Sequence, residues 1–295
     1  MLGDRAYDVE HFERVTRENR AAALPILIEI GAVVVWSVVI AVLASALQPT
    51  FSTGGLVLIG IVLAVVPAAI WLLAFYQQDR LEPEPKRYVL GVFLLGALLA
   101  AAVARPLIRD VFDVQEWLYD SPLTGILGSI FVIGFIQEFL KYAGVRYTVY
   151  NSPEFDERID GIIYGAATGL GFATMQNILY VVENNGVNLS VGSIEVAINA
   201  LAQASFSGVV GYFLGRAKFE RMGPVWLPLG VTVAAVLNGV VSYALREVPD
   251  LGAGLGYNPW YGLIVAAVVA AVTFVVLFMV IRRINTATLA AARAR

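Results

Sequence analysis

A chain of 295 residues is long enough for one or two soluble domains, but 59% of this one is hydrophobic and only 15% is charged. With a mean hydropathy of +0.75, it reads instead as a polytopic membrane protein. The net charge of −3 leaves no basic stripe for nucleic acid, and the absence of cysteine excludes disulfides, a thiolate nucleophile and a Cys-ligated metal.

Apolar runs of about 20 residues, the length of a bilayer-crossing helix, fall at residues 24–47, 56–77, 88–108, 123–143, 161–182, 192–215, 225–245 and 259–281. They predict an all-α bundle of about eight transmembrane helices. Residues 1–21 form a mixed-charge N-terminal segment and not a basic stub before a short apolar core, so they do not read as a cleaved signal peptide. Residues 22–282 make the eight-span domain and residues 283–295 a tail. Of the 20 Lys and Arg residues, all but Arg105, Arg109 and Arg246 lie in the N-terminal segment, at the end of span four (Lys141), in the connectors after spans two, four and six, or beyond span eight. By the positive-inside rule the expected location is the cytoplasmic membrane, with both termini in the cytoplasm.

Taken in order, span one is apolar except for Glu29, a carboxylate expected to snorkel to water or to pair with a nearby arginine. Span two holds Pro67 and ends at DRLEPEPKR (Asp79–Arg87), whose prolines favour an extended hinge. Span three is rich in small residues, which suits close packing. Its outer end sets Asp110, Asp113, Glu116 and Asp120 against Arg105 and Arg109, and reads as a solvated loop with a short amphipathic turn at 112–118.

Span four is the first with deep polar residues. Gln137 and Glu138 are followed by Lys141, and Glu138 and Lys141 stand at i and i+3, where the amine can stabilise the carboxylate. Ionisable residues in lipid are costly and usually mark a working cavity, although a satisfied interfacial pair is the plainer alternative. The connector PEFDERID (Pro153–Asp160) turns the chain into a hairpin. Span five opens with Gly161, Gly165 and Gly169 at four-residue spacing, a stripe that admits another helix to backbone contact. Gln176 and Asn177 follow, suited at least to interhelical hydrogen bonds, each contributing about 0.6 kcal/mol.

Span six carries Gln203 and Ser207 on one face, with Gly211 and Gly215 continuing the small-residue spacing. A Ser–His arrangement is excluded because the single histidine, His11, is in the N-terminal segment, and helix packing is a better account of Ser207 than pairing with Lys141. Span seven has one deep polar residue, Asn238, beside Gly239. Span eight is uniformly apolar and expected to be peripheral. Spans four to seven are expected to enclose a polar cavity open toward the cytoplasmic half. A solute carrier fits less well, for neither internal repeats nor matching broken helices are present.

Collected, QEFLK at Gln137–Lys141, FDERIDGIIYGAATGLGFATMQNILY from Phe155 to Tyr180, AQASFSGVVGYFLG from Ala202 to Gly215, and the Asp79–Arg87 hinge resemble the PrsW-type intramembrane proteases, which belong with the CAAX-processing membrane endopeptidases. The resemblance implies a peptidase acting on transmembrane or membrane-proximal segments within the lipid bilayer, with catalytic positions at Gln137, Glu138, Lys141, Gln176, Gln203 and Asn238. It also implies, for an active counterpart, a water activated by carboxylates or by a divalent metal such as zinc near Gln137, Glu138, Gln176 and Gln203.

The departures bear on activity. The family's first motif reads Glu-Glu-x-x-Lys, where this chain has Gln137; its second has Glu where this chain has Gln176; its third has His at the position of Gln203. The last has His four residues before Asn, which places Ala234 before Asn238. Glutamine has no proton to exchange near neutral pH and is a poor zinc ligand. The sequence therefore reads as a protease-like scaffold in catalytically disabled form, or as a pseudoprotease that holds a partner helix.

Overall fold

In lipid the only way to pair every backbone N–H and C=O within one segment is a helix, and the apolar runs fold accordingly. The computed structural model describes residues 23–78, 85–247 and 258–293, and among them there is no strand. The helices are α1 (Ala23–Leu47), α2 (Thr53–Gln78), α3 (Lys86–Val111), the short α4 (Val114–Trp117), α5 (Pro122–Tyr147), α6 (Asp160–Glu183), α7 (Leu189–Phe219), α8 (Trp226–Glu247) and α9 (Pro259–Arg293). The N-terminal segment and residues 79–84 of the hinge lie outside the described residues. The long helices match the eight expected spans in order, and α4 falls where the amphipathic turn was expected.

Local chemistry sets the boundaries. α5 begins at a capping box in which the Ser121 hydroxyl accepts from the Thr124 amide at 3.2 Å and the Thr124 hydroxyl accepts from the Ser121 amide at 3.0 Å, with Pro122 at the first helical position. α7 begins at Asn188, whose side-chain oxygen accepts from the amides of Ser190 and Val191. The turn before it needs two left-handed residues, Asn185 at φ 56° and Gly186 at φ 116°. α3 and α5 each loosen into π-helix, at Ala100–Ala104, Leu107–Val111 and Ser129–Gly134, a wider turn found mostly as short insertions and frequently at functional sites.

α6 is the centre of the bundle. A Cβ added at Gly161 would run into the Gly211 carbonyl of α7, and one at Gly165 into the Ser207 carbonyl, so the glycine stripe does bring two helix backbones together. On its other side α6 meets α3, while α7 is covered by α1, α8 and α9, and α5 lies against α8. Seven of the long helices are apolar enough to cross a membrane; α6, with 24 residues, is long enough but not apolar enough. The reason is position, since most of its side chains touch protein and not lipid. The outer helices are the reverse, and expose Val35, Val39 and Val42 on α1 and Ile264, Val268 and Val272 on α9. The inner face of α9 supplies Phe274, which packs on Trp71 of α2 at a ring separation of 5.0 Å.

One expectation is corrected here. Glu29 does not snorkel: it is 3% exposed, and neither carboxylate oxygen has a hydrogen-bond partner among the described residues. Its position on the inner face of α1, between Ile26 and Ile30 in the core, directs it away from lipid and headgroups alike.

At the end of the bundle bearing the basic connectors, side chains tie the described segments to one another. Arg158 donates to Glu220 at 3.1 Å and to Asn285 at 2.8 Å, joining the connector before α6 to the end of α7 and to α9. Lys218 donates to the carbonyls of Tyr150 and Ser152.

Candidate active site

Four helices deliver the polar residues of mid-bundle. The close approach of α5 to α8 at Gly134 and Gly239, where an added Cβ would strike the Ala235 carbonyl and the Ile130 backbone respectively, sets Asn238 beside the first turns of the α-helical part of α5. The Asn238 amide donates to Gln137 Oε1 at 3.0 Å and to Glu138 Oε1 at 2.7 Å. From α7, the Gln203 amide donates to the same Gln137 oxygen at 3.1 Å. Lys141 Nζ closes the ring: it donates to Glu138 Oε1 at 2.7 Å and to Gln203 Oε1, and it stands 4.9 Å from the centre of the Phe172 ring of α6.

Glu138 and Lys141 are 0% and 1% exposed, so the pair is a desolvated ion pair and not an interfacial one. Such pairs persist where further hydrogen bonds satisfy them, and Asn238 and Gln203 supply those bonds. Among the described residues Glu138 Oε2 has no hydrogen-bond partner, nor has the hydroxyl of Ser207. Ser207 makes no hydrogen bond to Lys141; its side chain packs against Gly169.

Gln176 stands apart from this ring. Its side-chain oxygen accepts from Asn199 of α7 at 3.3 Å, and the same amide donates to Asn177 at 2.9 Å. The six expected site residues therefore divide into a ring of five and Gln176 in an adjoining network. Two participants were not singled out by the sequence reading. Asn199 lies one turn before Gln203, and Ser242, which donates to Asn238 Oδ1 at 3.0 Å, lies one turn after Asn238. Both stand at i±4 from a recognised polar residue, a spacing that marks a shared helix face.

The open side also differs from expectation. Two cavities of about 320 Å³ each meet at Gln176 and Tyr180. The one that reaches Gln137 is bordered by Arg105, Arg109 and Glu183, so the site opens at the end opposite the basic connectors. At the other end the described connectors are joined to α7 and α9 by their own ion pairs and carbonyl contacts.

An all-α bundle of membrane-spanning length with a buried, hydrogen-bonded polar ring defines an integral membrane protein with an internal site. Residues 84–282 match the model of the "PrsW family intramembrane metalloprotease". The chain belongs to the PrsW family of intramembrane proteases. It is 36% identical over 198 residues to "Protease PrsW" of Geobacillus kaustophilus, a match covering 65% of this chain and 82% of that protein. Against "Protease PrsW" of Bacillus subtilis it is 32% identical over 192 residues, covering 63% and 82%, and against that of Halalkalibacterium halodurans 33% over 178 residues, covering 60% and 79%. No solved structure matches the chain. The family match begins after α2, so α1 and α2 lie outside it.

The metal in the family's description can be tested against the residues present. A catalytic zinc takes three protein ligands from His, Cys and carboxylates. The ring here offers one carboxylate, three amides and an ammonium, and among the described residues no three His, Cys, Asp or Glu side chains come together. Glu138 is already paired with Lys141, whose charge repels a divalent cation from the same oxygen. The donor set does not fit a catalytic metal.

Proposed function

We propose that this chain is a PrsW-family scaffold that receives a membrane-embedded or membrane-proximal peptide segment of a partner protein and has lost most of its hydrolytic power. The observation that carries this reading is the composition of the buried ring, where Glu138 is the one ionisable oxygen ligand and is shared by Lys141 and Asn238. Peptide hydrolysis needs a group that takes a proton from water and a group that protonates the leaving amine. The amides of Gln137, Gln203 and Asn238, and of Gln176 next to them, do neither. Loss of one general acid or base costs about a hundredfold to ten-thousandfold in rate, and here several such positions are neutral. Amides remain good partners for a peptide backbone, which supports retention of binding.

The protein sits in the cytoplasmic membrane with both termini cytoplasmic, a reading supported by the distribution of Lys and Arg. The partner is then a single-span or membrane-anchored polypeptide, and the cavity faces the outer side.

The test introduces Gln137→Glu, Gln176→Glu and Gln203→His together and follows cleavage of a single-span reporter in liposomes beside the unaltered chain. Cleavage by the substituted protein, with the unaltered chain slower by at least about a hundredfold, is the expected result. Equal cleavage by both overturns the loss of hydrolysis. No cleavage by either, with the reporter still captured, favours a pseudoprotease that holds its partner without any hydrolytic heritage in these positions.

A further inference from the structure

The cavity that reaches Gln137 and Gln176 is walled by α3, α5 and α6 and bordered by Arg105, Arg109 and Glu183. Its depth is marked by exposure: Gln137 at the bottom is 5% exposed, whereas the side chains of Arg105, Arg109 and Glu183 are 34%, 53% and 44% exposed. It is thus the passage between the buried ring and the surface. Its volume, about 320 Å³, is at the lower end of ligand cavities.

Two further observations bear on what enters it. Ala100, Ala104, Ile108, Arg109 and Ile133 of its lining all belong to the π-helical stretches of α3 and α5. A π-helical turn carries an extra residue and widens the helix locally, and the two alanines placed there, Ala100 and Ala104, leave room beside it. At the mouth, both guanidinium groups converge on one carboxylate oxygen: Arg105 Nη2 pairs with Glu183 Oε1, and Arg109 Nη1 lies 3.8 Å from that atom. Asp110 approaches Arg109 only at 3.9 Å. Arginine forks suit carboxylates geometrically, and ion pairs this exposed contribute little stability. Glu183 is therefore held loosely, in a place where another carboxylate can replace it.

Resting on the reading of this cavity as the seat of a partner's peptide, we infer that Arg105 and Arg109 form a subsite for an acidic side chain of that peptide. An aspartate or glutamate of the bound segment takes the position of the Glu183 carboxylate on the two guanidinium groups. The segment on its membrane side is thereby set along the π-helical wall with its backbone toward Gln176 and Gln137. Glu183 acts as an internal competitor that the incoming carboxylate must displace, so the preference for acidic segments comes from the two arginines and is tempered by Glu183.

The experiment uses the full chain in lipid nanodiscs and three biotinylated single-span peptides that differ at one membrane-proximal position, carrying Asp, Asn or Lys. The Asp peptide is expected to bind about three- to tenfold more tightly than the Asn peptide, the range for exposed to charge-assisted contacts, and the Lys peptide most weakly. The preference is lost in Arg105→Gln/Arg109→Gln. It grows in Glu183→Gln, a gain that a misfolded protein cannot imitate. Equal binding of the Asp and Asn peptides, unchanged by the arginine substitutions, overturns the subsite and leaves the peptide-holding reading standing. Binding of none of the three overturns both.

Discussion

Lys141 lies within the bundle with its ammonium between Glu138 and Gln203 and its charge fully desolvated. Removing one partner of a buried ion pair leaves the other charge alone, which typically costs about 3–5 kcal/mol, whereas replacing both with neutral groups is often harmless. Lys141→Met is therefore expected to lower stability by about that amount, and Glu138→Gln/Lys141→Met to recover most of it. Unfolding of purified protein in mixed micelles measures both, and equal losses in the single and double variants would contradict the pairing. At this scale the sequence discloses the ring well: Gln137, Glu138, Lys141, Gln203 and Asn238 stand out because polar residues are costly among apolar ones, and all five meet. Gln176 stands out for the same reason but joins Asn177 and Asn199 instead, because polarity in a span marks an inward face without saying which neighbour it meets. Arg105, Arg109 and Glu183 stay hidden, since charged residues near a span's end look solvated until the fold brings α3 and α6 side by side.

At the level of helices, small residues determine which pairs touch. Gly165 abuts the Ser207 carbonyl, whereas Gly91 on α3 has nothing within 4 Å of where its Cβ would be. The same change should then have opposite effects. Gly91→Ala gains up to about 1 kcal/mol from helix propensity, while Gly165→Ala loses about 1–3 kcal/mol by overpacking the contact of α6 with α7. Matching signs in a denaturant titration would show that the stripe is not a packing surface. The glycine spacing is legible in α6, where three glycines recur at every fourth residue. It is not legible for α5 and α8, whose contact uses the isolated Gly134 and Gly239. The π-helical stretches also escape a sequence reading, since Ala100–Ala104 and Ser129–Gly134 have the composition of any transmembrane helix.

For the whole molecule, the absence of native cysteine makes orientation directly measurable. Single cysteines at the exposed positions Asn151 and Asn184, on connectors at opposite ends of the bundle, should react with an impermeant thiol reagent from opposite sides of the membrane. The expected result in intact cells is labelling at Asn184→Cys and protection at Asn151→Cys. α1 and α2 precede the family match yet complete the core, with Ile26, Ile30, Val33 and Trp71 all buried.

The enclosure of α6 has a consequence for how the molecule is made. A nascent segment partitions into the bilayer according to its own transfer free energy, and the central helix falls short of that requirement because its partners, not lipid, surround it. Its integration is therefore conditional on chain emerging later, above all on α7, whose backbone fills the glycine stripe. A chain truncated after residue 188 should leave α6 incompletely inserted, with the residues after it accessible to protease from the same side as the connector before it, and a chain that includes α7 should protect them. A break in α7 is therefore expected to cost two spans and not one.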